Sequence, residues 1–297
     1  MREPETAPRR LSVRKTYKLY VGGAFPRSES ARSYPVSDVS GAHLANAAQA
    51  SRKDVRDAVV SARSAVAGWS ARTGYNRGQI LYRVAEMMEG RRDQFVSEVA
   101  ASAGESPQEA GDTVSAAIDR WVHYAGWADK LTQVLGNPNE VAGPYYNQSA
   151  PEPVGVVGVV APPEDPLLGL VSVLAPVITA GNTCVVVASE RAPLPAVTLA
   201  EVLATSDLPG GVVNVLTGRA GELLAPLASH ADVDALDLTG ATTGGREEAV
   251  ELERAAASTL TRVLRPGATP TDWHAAPGVA RLRRFVETKT VWHPIGV

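Results

Sequence analysis

Cysteine is nearly absent from this sequence, and its scarcity excludes two kinds of stabilising chemistry. The chain of 297 residues has one cysteine, Cys184, so it cannot form an internal disulfide and lacks partners for a cysteine-based metal site. The histidines are few, and none has a second histidine at the spacing of a metal-binding motif; they are His43, His123, His230, His274 and His293. These features predict a cytoplasmic protein without a resident metal.

Long apolar runs and a strong net charge are also missing. No stretch approaches the roughly 18 apolar residues of a membrane-spanning helix. The formal net charge of -3 offers no field that would attract nucleic acid or an anionic membrane. Residues 1–16 are locally basic, but the apolar segment of a secretory signal does not follow them. We therefore expect a flexible basic arm over 1–16, and neither a membrane nor a nucleic acid as partner.

Helical periodicity dominates the first half of the chain. Residues 17–36 predict a short two-stranded unit, with turn formers at Gly22 and Gly23. Over 54–68, apolar residues repeat at three- and four-residue spacing, which predicts one buried helical face preceded by a cap at Ser51 or Asp54. The segments 76–103 and 107–133 carry the same pattern.

The second half alternates apolar β-branched runs with helical stretches. Strands are predicted within 154–162, 178–189, 210–218 and 236–239, and helices over 167–179, 193–206 and 221–229. Strands that are apolar on both faces and alternate with helices are typical of a parallel sheet covered on both sides. The fold class predicted is therefore α/β, with a doubly wound parallel sheet.

These runs also carry a family likeness. The segments PEPVGVVGVVAP (151–162), AGNTCVVVASE (180–190), DLPGGVVNVLTG (207–218) and DVDALDLTGATTGGR (232–246) resemble, in order, the cofactor-binding strands of aldehyde dehydrogenases. AIDRWVHYAGWADKL (117–131) and YVGGAF (20–25) are similar to a family helix and the N-terminal hairpin. The likeness covers about residues 17–250, and it implies a cofactor-binding domain with a small β oligomerisation element.

The tail resembles the family too, whereas a whole domain is missing before it. RFVETKTVWHPIGV (284–297) is similar to the C-terminal tail, which in the family follows the catalytic domain and forms a strand in a neighbouring subunit's sheet. Between Arg246 and Arg281 lie 34 residues, too few for a second domain. The expected organisation is an arm (1–16), a cofactor-binding domain (17–264, with 137–150 in an oligomerisation hairpin), a linker (265–283) and an oligomerisation strand (284–297). Within it, 247–264 is predicted as one helix.

The retained half departs from the family pattern at three positions. The family's P-W-N-F-P is Pro-Pro-Glu-Asp-Pro here, so Glu164 replaces the asparagine that helps to hold the oxyanion. In K-P-S-E the lysine is replaced by Val187, and in T-G-S the serine that contacts the pyrophosphate is replaced by Ala241. The nucleophilic cysteine and the glutamate that activates water belong to the missing domain, and Cys184 lies in a predicted buried strand. We therefore assign no catalytic residue.

Four positions still match the family's cofactor site. They are Pro162, Glu190, Thr239 and Gly240, which we treat as vestigial contacts. The resemblance implies NAD or NADP as the cofactor, but the three substitutions weaken the grounds for dinucleotide binding, so no cofactor is assigned from sequence alone.

Three further features have alternative interpretations. Glu164 and Asp165 could form an acid/base pair or a metal contact, or be a solvated acidic turn. Trp121, Tyr124 and Trp127 could form a stacking platform or a buried helix face. The turn ATTGGREE (241–248) could cradle an anion or simply lead into a helix.

Two functions follow from the resemblance. The first is a non-catalytic subunit that assembles through its C-terminal strand with itself or with a full-length aldehyde dehydrogenase. The second is an NAD(P)-dependent oxidoreductase acting on aldehyde or oxo groups, with catalytic residues supplied by a partner. The two-unit members of the family, whose second unit lacks the nucleophile, offer an analogy for the first.

Overall fold

The N-terminal strands form a small sheet of their own. The structure, a computed structural model, describes residues 14–241 and 245–296. Its first strands are β1 (Thr16–Tyr17), β2 (Ser33–Ser37) and β3 (His43–Ala48), in the order β1-β3-β2. Within the unit predicted over 17–36, Val21 and Ala24 form an antiparallel bridge across the Gly22–Gly23 turn, as predicted. The second half of that unit, β2, pairs instead with β3, and Tyr20 bridges to Val215 of the main sheet. Residues 1–13 of the predicted arm lie outside the described residues, whereas Lys15 pairs with Glu201 and Thr16 begins β1.

Five helices follow, and the apolar faces predicted within 54–68, 76–103 and 107–133 are buried. They are α1 (Arg52–Ser70), α2 (Gly74–Glu89), α3 (Arg92–Ala103), α4 (Pro107–Ala125) and α5 (Leu131–Leu135). Ser51 caps α1 and forms a capping box with Asp54. The predicted segment 76–103 divides into two helices at Gly90. Trp121 and Tyr124 of α4 are buried in the core, and Trp127, in the turn after the helix, is partly buried against it, so the triplet is packed and does not form a stacking platform.

A hairpin and the main sheet come next. The hairpin strands are β4 (Asn137–Asn139) and β5 (Tyr145–Pro153). The strands of the main sheet are β6 (Val156–Val160), β7 (Thr183–Val187), β8 (Val213–Leu216), β9 (Ala235–Asp237) and β10 (Arg262–Leu264). The helices that connect them in turn are α6 (Leu168–Thr179), α7 (Leu194–Leu203), α8 (Ala220–Ala228) and α9 (Gly245–Ala257). All its pairs are parallel and its order is β10-β9-β6-β7-β8. The predicted doubly wound α/β fold is confirmed.

Both faces of this sheet are covered. Val157 and Val159 pack with α2, α4, α6 and α7, while Val156 and Val160 pack with α1, α8 and α9. The chain enters at β6, adds β7 and β8 on one side and then β9 and β10 on the other. The carboxyl ends of β6, β7 and β9 therefore border the point where the winding reverses, which is where open α/β sheets bind ligands.

The predicted helix over 247–264 is wrong in its second half. Helix α9 ends at Ala257, and Arg262–Leu264 form a strand beside β9. Between them the backbone reverses at Leu260, whose φ is 56°. The unpaired edge of β9 offers hydrogen bonds to this segment, and the β-branched Thr261 and Val263 suit a strand.

The segment predicted as a linker packs onto the domain. Trp273, 8% exposed, lies in the core with Leu282 and Phe285. Arg120 of α4 donates to the carbonyl oxygens of Trp273 (2.6 Å) and Ala275 (3.1 Å). The short helix α10 (Ala280–Arg284) then leads into β11 (Val286–Pro294).

Strand β11 pairs with its own chain. It lies antiparallel to β5 over nine residues, from Val286 opposite Pro153 to Pro294 opposite Tyr145, and gives a sheet in the order β11-β5-β4. In this structure β11 thus pairs with the hairpin of its own chain, and within the described residues no strand lies along its outer edge. Pairing of the tail in a neighbour's sheet stays a prediction.

Candidate functional site

A cleft of about 840 Å³ lies at the carboxyl ends of β6 and β7. Strand β2 forms one wall, and the starts of α8 and α9 form another. Its described lining residues are Tyr34, Pro35, Val36, Ser37, Asp38, Val160, Ala161, Pro163, Glu164, Val187, Ala188, Ser189, Glu190, Arg191, Arg219, Ala220, Leu224, Gly240, Ala241 and Glu248. The size and the largely apolar floor are those of a small-molecule site.

Of the four predicted cofactor contacts, Glu190 is the one whose side chain is exposed in the cleft. It follows β7, is exposed, and its Oε2 accepts a hydrogen bond of 3.1 Å from the backbone N–H of Ala220. Ala220 is the first residue of α8, where helix N–H groups lack partners within the helix and attract a carboxylate. Arg191 and Arg219 lie alongside in the lining.

Gly240 also lines the cleft, and its lack of a side chain is structural. A Cβ at this position would lie 2.4 Å from the backbone carbonyl carbon of Ala161. The turn after β9 therefore approaches the end of β6 as closely as only glycine allows. Ala241, beside it, is buried at 3% exposure.

Pro162 and Thr239, the other two predicted contacts, are buried and are not among the lining residues. Pro162 packs beside Gly169 of α6. The hydroxyl of Thr239 is bonded to Asp237 and accepts from both terminal nitrogens of Arg281 at 3.2 and 3.3 Å. The structure thus brings two of the four predicted residues together in the cleft.

The acidic pair Glu164–Asp165 is divided between two roles. Glu164 is exposed and lines the cleft. Asp165 accepts the backbone N–H of Gly169 at 2.9 Å and so holds the start of α6. Burial raises the pKa of Asp165, while its bonds to backbone N–H groups oppose that rise. A single acid/base pair is therefore not formed by these two neighbours.

Cys184 has the surroundings of a core residue. It is fully buried in β7, and burial raises the pKa of its thiol far above the ordinary value. A thiol held neutral and away from solvent is not a nucleophile, as the sequence predicts.

Beside Thr239, Asp237 and Arg281 form an ion pair that the sequence did not predict. The side chain of Asp237 is completely buried in β9 and is bonded to the guanidinium of Arg281, which lies 5.9 Å from the ring centroid of Trp273. The sequence signal for this pair was Asp237 itself, because an aspartate within an apolar strand is buried and needs a partner for its charge. Its partner is 44 residues away in a segment predicted as a linker, so spacing could not identify it.

The aldehyde dehydrogenase family model matches residues 26–265. The chain belongs to the aldehyde dehydrogenase family. Among curated relatives, the mouse cytosolic 10-formyltetrahydrofolate dehydrogenase is 33% identical over 248 residues, 82% of this chain and 27% of that protein. The mitochondrial benzaldehyde dehydrogenase of Antirrhinum majus is 31% identical over 247 residues, 82% of this chain and 45% of that protein.

Solved family members share the fold. A putative aldehyde dehydrogenase from Burkholderia cenocepacia is 29% identical with a TM-score of 0.78, over 83% of this chain and 51% of that one. An NAD+ complex of aldehyde dehydrogenase from Bacillus cereus is 27% identical with a TM-score of 0.77, over 84% of this chain and 50% of that one. The chain thus spans about half the length of these family members or less. The tail 284–297 lies beyond the family match, so its resemblance stays a prediction.

The described residues fit one end of the family's dinucleotide better than the other. Glu190 offers a carboxylate to a ribose diol, in the place where the resemblance puts that contact. At the same ribose, Val187 replaces the lysine that the resemblance expects, and at the pyrophosphate the apolar Ala241 supplies no side-chain donor. The described lining also holds four carboxylates, on Asp38, Glu164, Glu190 and Glu248, against the two guanidinium groups of Arg191 and Arg219. The lining does not fit a doubly charged pyrophosphate, and we derive no chemistry through the cofactor.

Over 14–241 and 245–296, no three or more His, Cys, Asp and Glu side chains are grouped as a metal ion would require. In the same ranges no helix has both the length and the apolar character needed to cross a membrane. Of the turn 241–248, for which an anion cradle is one interpretation, residues 242–244 lie outside the described residues.

Proposed function

We infer that this chain is a non-catalytic subunit of the aldehyde dehydrogenase family that assembles with a full-length enzyme or with itself. The observation that carries the proposal is β11, an edge strand of nine residues of which eight are exposed. An open strand edge of this length is a template for pairing with another chain, and soluble proteins usually cover or interrupt such edges. The cytoplasm is the expected location, on the scarcity of cysteine.

The chemistry of the retained half supports a non-catalytic role. The single thiol is buried and neutral, so the chain offers no nucleophile of the kind that the family uses. Glu164 places a carboxylate where the resemblance expects an oxyanion donor, and a negative charge there would oppose a developing oxyanion. Assembly then remains the role for which the chain is equipped.

The alternative is an NAD(P)-dependent oxidoreductase acting on aldehyde or oxo groups, with catalytic residues supplied by a partner. The cleft with Glu190 favours it, because a ligand-sized site persists at the carboxyl ends of the strands. The alternative requires saturable NAD or NADP binding, whereas the first proposal does not.

The test is removal of β11 with the core left intact. The chain should be ended after Phe285, because Phe285 is 1% exposed and its carbonyl accepts from Asn182 at 2.8 Å. The full chain, tagged at its N-terminus, should recover a full-length aldehyde dehydrogenase from the native cell or associate with itself in light scattering. The truncated chain should do neither while keeping its circular dichroism spectrum. Assembly that survives the truncation would overturn the proposal.

A further inference from the structure

Prolines fix which backbone groups of β11 are left unpaired. In an antiparallel pair, opposite residues alternate between exchanging two hydrogen bonds and exchanging none. Pro153 lies opposite Val286 and Pro151 opposite Thr288, and a proline has no N–H to give. These are therefore the positions that exchange none, and the N–H and C=O groups of the even-numbered residues of β11 point away from β5.

A side chain confirms this direction. Arg262 Nη1 donates to the carbonyl oxygen of Val286 at 2.9 Å, so that oxygen faces outward and is already satisfied. Further along, Thr288, Thr290 and Trp292 each present an outward N–H and C=O, and Pro294 presents only a carbonyl. The outer edge thus has one engaged acceptor at its start and one missing donor at its end.

We propose that this edge pairs with the same edge of a second copy, antiparallel, about a two-fold axis at Thr290. The proposal rests on the assembly role inferred above and names the partner. In this register Thr290 faces Thr290 of the second copy, and Thr288 faces Trp292. The two three-stranded sheets become one continuous six-stranded sheet.

The ends of the edge select this register. Val286 falls opposite Pro294 of the second copy, so the carbonyl that Arg262 already satisfies meets the one outward position that has no N–H. The N–H of Val286 then donates to the carbonyl of Pro294. A two-fold axis at Thr288 would instead bring the N–H of Thr290 to the engaged carbonyl of Val286 and leave Trp292 and Pro294 unpaired.

Side chains agree with the same register. Trp292 and Val291 are 57% and 40% exposed, and pairing would cover them with Thr288 and the alkyl stem of Lys289 from the second copy. Glu287 falls opposite His293, whose ring N–H can donate to the carboxylate. Glu287 would also stay paired with Arg262, as it is within one chain at 3.2 Å.

Cysteine cross-linking tests the axis. In a hydrogen-bonded antiparallel pair the Cα atoms lie about 5.5 Å apart, within the range that a disulfide spans. The variant Thr290→Cys should therefore form a covalent dimer under mild oxidation, seen on a non-reducing gel. Thr288→Cys, on the same face of the strand, is the matched control and should stay monomeric on the gel. Cys184 is fully buried and should not contribute.

A second variant tests the edge without cysteine. Thr290→Pro removes an N–H that faces away from β5, so the intrachain pairing should persist while the central bond of the dimer is lost. The wild-type chain should be a dimer in light scattering and this variant a monomer with an unchanged circular dichroism spectrum.

The outcomes separate this inference from the assembly role. Preferential cross-linking of Thr288→Cys, equal cross-linking of both variants, or a monomeric wild type would overturn the self-paired edge. A monomeric wild type that still binds a full-length aldehyde dehydrogenase, and loses it when ended after Phe285, would leave the assembly role standing. Loss of both associations would overturn both.

Discussion

At the scale of single residues, the pair Asp237–Arg281 ties the C-terminal segment to the main sheet. A completely buried carboxylate without its cation keeps its desolvation cost and loses its compensation. We expect Arg281→Met to lower the free energy of unfolding by about 3 kcal/mol. Urea titration followed by tryptophan fluorescence would measure it.

The control for that variant lies on the same helix. Arg283→Met changes an exposed arginine of α10 and should leave the unfolding free energy nearly unchanged. Restoring neutrality with Asp237→Asn in the Arg281→Met background should recover part of the loss. Equal effects of the two arginine substitutions would contradict the role of the ion pair.

Glu98 gives the protein a pH-dependent contribution to stability. Its Oε1 accepts from Tyr17 (3.0 Å), Thr198 (2.8 Å) and Gln94 (3.1 Å), yet burial outweighs these bonds and raises the pKa of the carboxyl above the ordinary value. A raised pKa in the fold means that the contribution is fully present below the unfolded pKa and is lost as pH rises through the folded pKa.

Glu98→Gln removes that titration while keeping the shape of the side chain. The unfolding free energy of the variant should therefore gain on that of the wild type as pH rises from about 4 to 8. Glu140→Gln, an exposed position, serves as the control and should show no such trend. A difference between Glu98→Gln and wild type that is constant with pH would refute the assignment.

At the scale of elements, the start of α1 is secured by more than its cap. Ser51 accepts from the N–H groups of Lys53 and Asp54, while the Asp54 carboxylate accepts from Ser51, the Ser28 hydroxyl (2.7 Å) and the Glu29 N–H (3.2 Å). Ser51→Ala should cost about 1 kcal/mol. Asp54→Ala should cost about 2 kcal/mol or more, because three donors lose their acceptor. Thermal unfolding would rank the two, and the reverse order would contradict this account.

Elements whose pattern is local could be predicted from the sequence. The four apolar runs gave β6, β7, β8 and β9, and the helical periodicity gave the buried face of α1. Strand β10 was not predicted, because Arg262–Leu264 is only three residues long and is a strand through its pairing with the edge of β9. The N-terminal turn forms at Gly22–Gly23 as predicted, whereas the sheet order β1-β3-β2 depends on a non-local parallel pair of β1 with β3, which turn residues do not encode.

The site divides in the same way between local and distant information. The positions of Glu190 and Gly240 follow from the strands that they succeed, and both reach the cleft. Thr239 likewise follows a strand, β9, but its hydroxyl is hydrogen-bonded to Asp237 and Arg281. That engagement depends on a contact between distant segments, as does the wall that Tyr34 of β2 contributes. Sequence patterns locate the ends of strands, whereas the groups that meet there depend on the whole fold.

At the scale of the whole molecule, the acidic lining of the cleft decides between the two proposed functions. If the carboxylate of Glu164 and the loss of the lysine at position 187 prevent dinucleotide binding, then removing the carboxylate and restoring the lysine should restore binding. We expect the double variant Glu164→Asn with Val187→Lys to bind NAD+ at least about tenfold more tightly than the wild type, since removing one repulsion and adding one cation are together worth about 1.4 kcal/mol or more. Val187 lines the cleft at 1% exposure, and a lysine there can extend its ammonium into the opening.

Isothermal titration would measure the change in NAD+ affinity, with Glu86→Gln, exposed on α2, as the control. Tight NAD+ binding by the wild type, unchanged in the double variant, would favour an oxidoreductase completed by a partner over a subunit that only assembles.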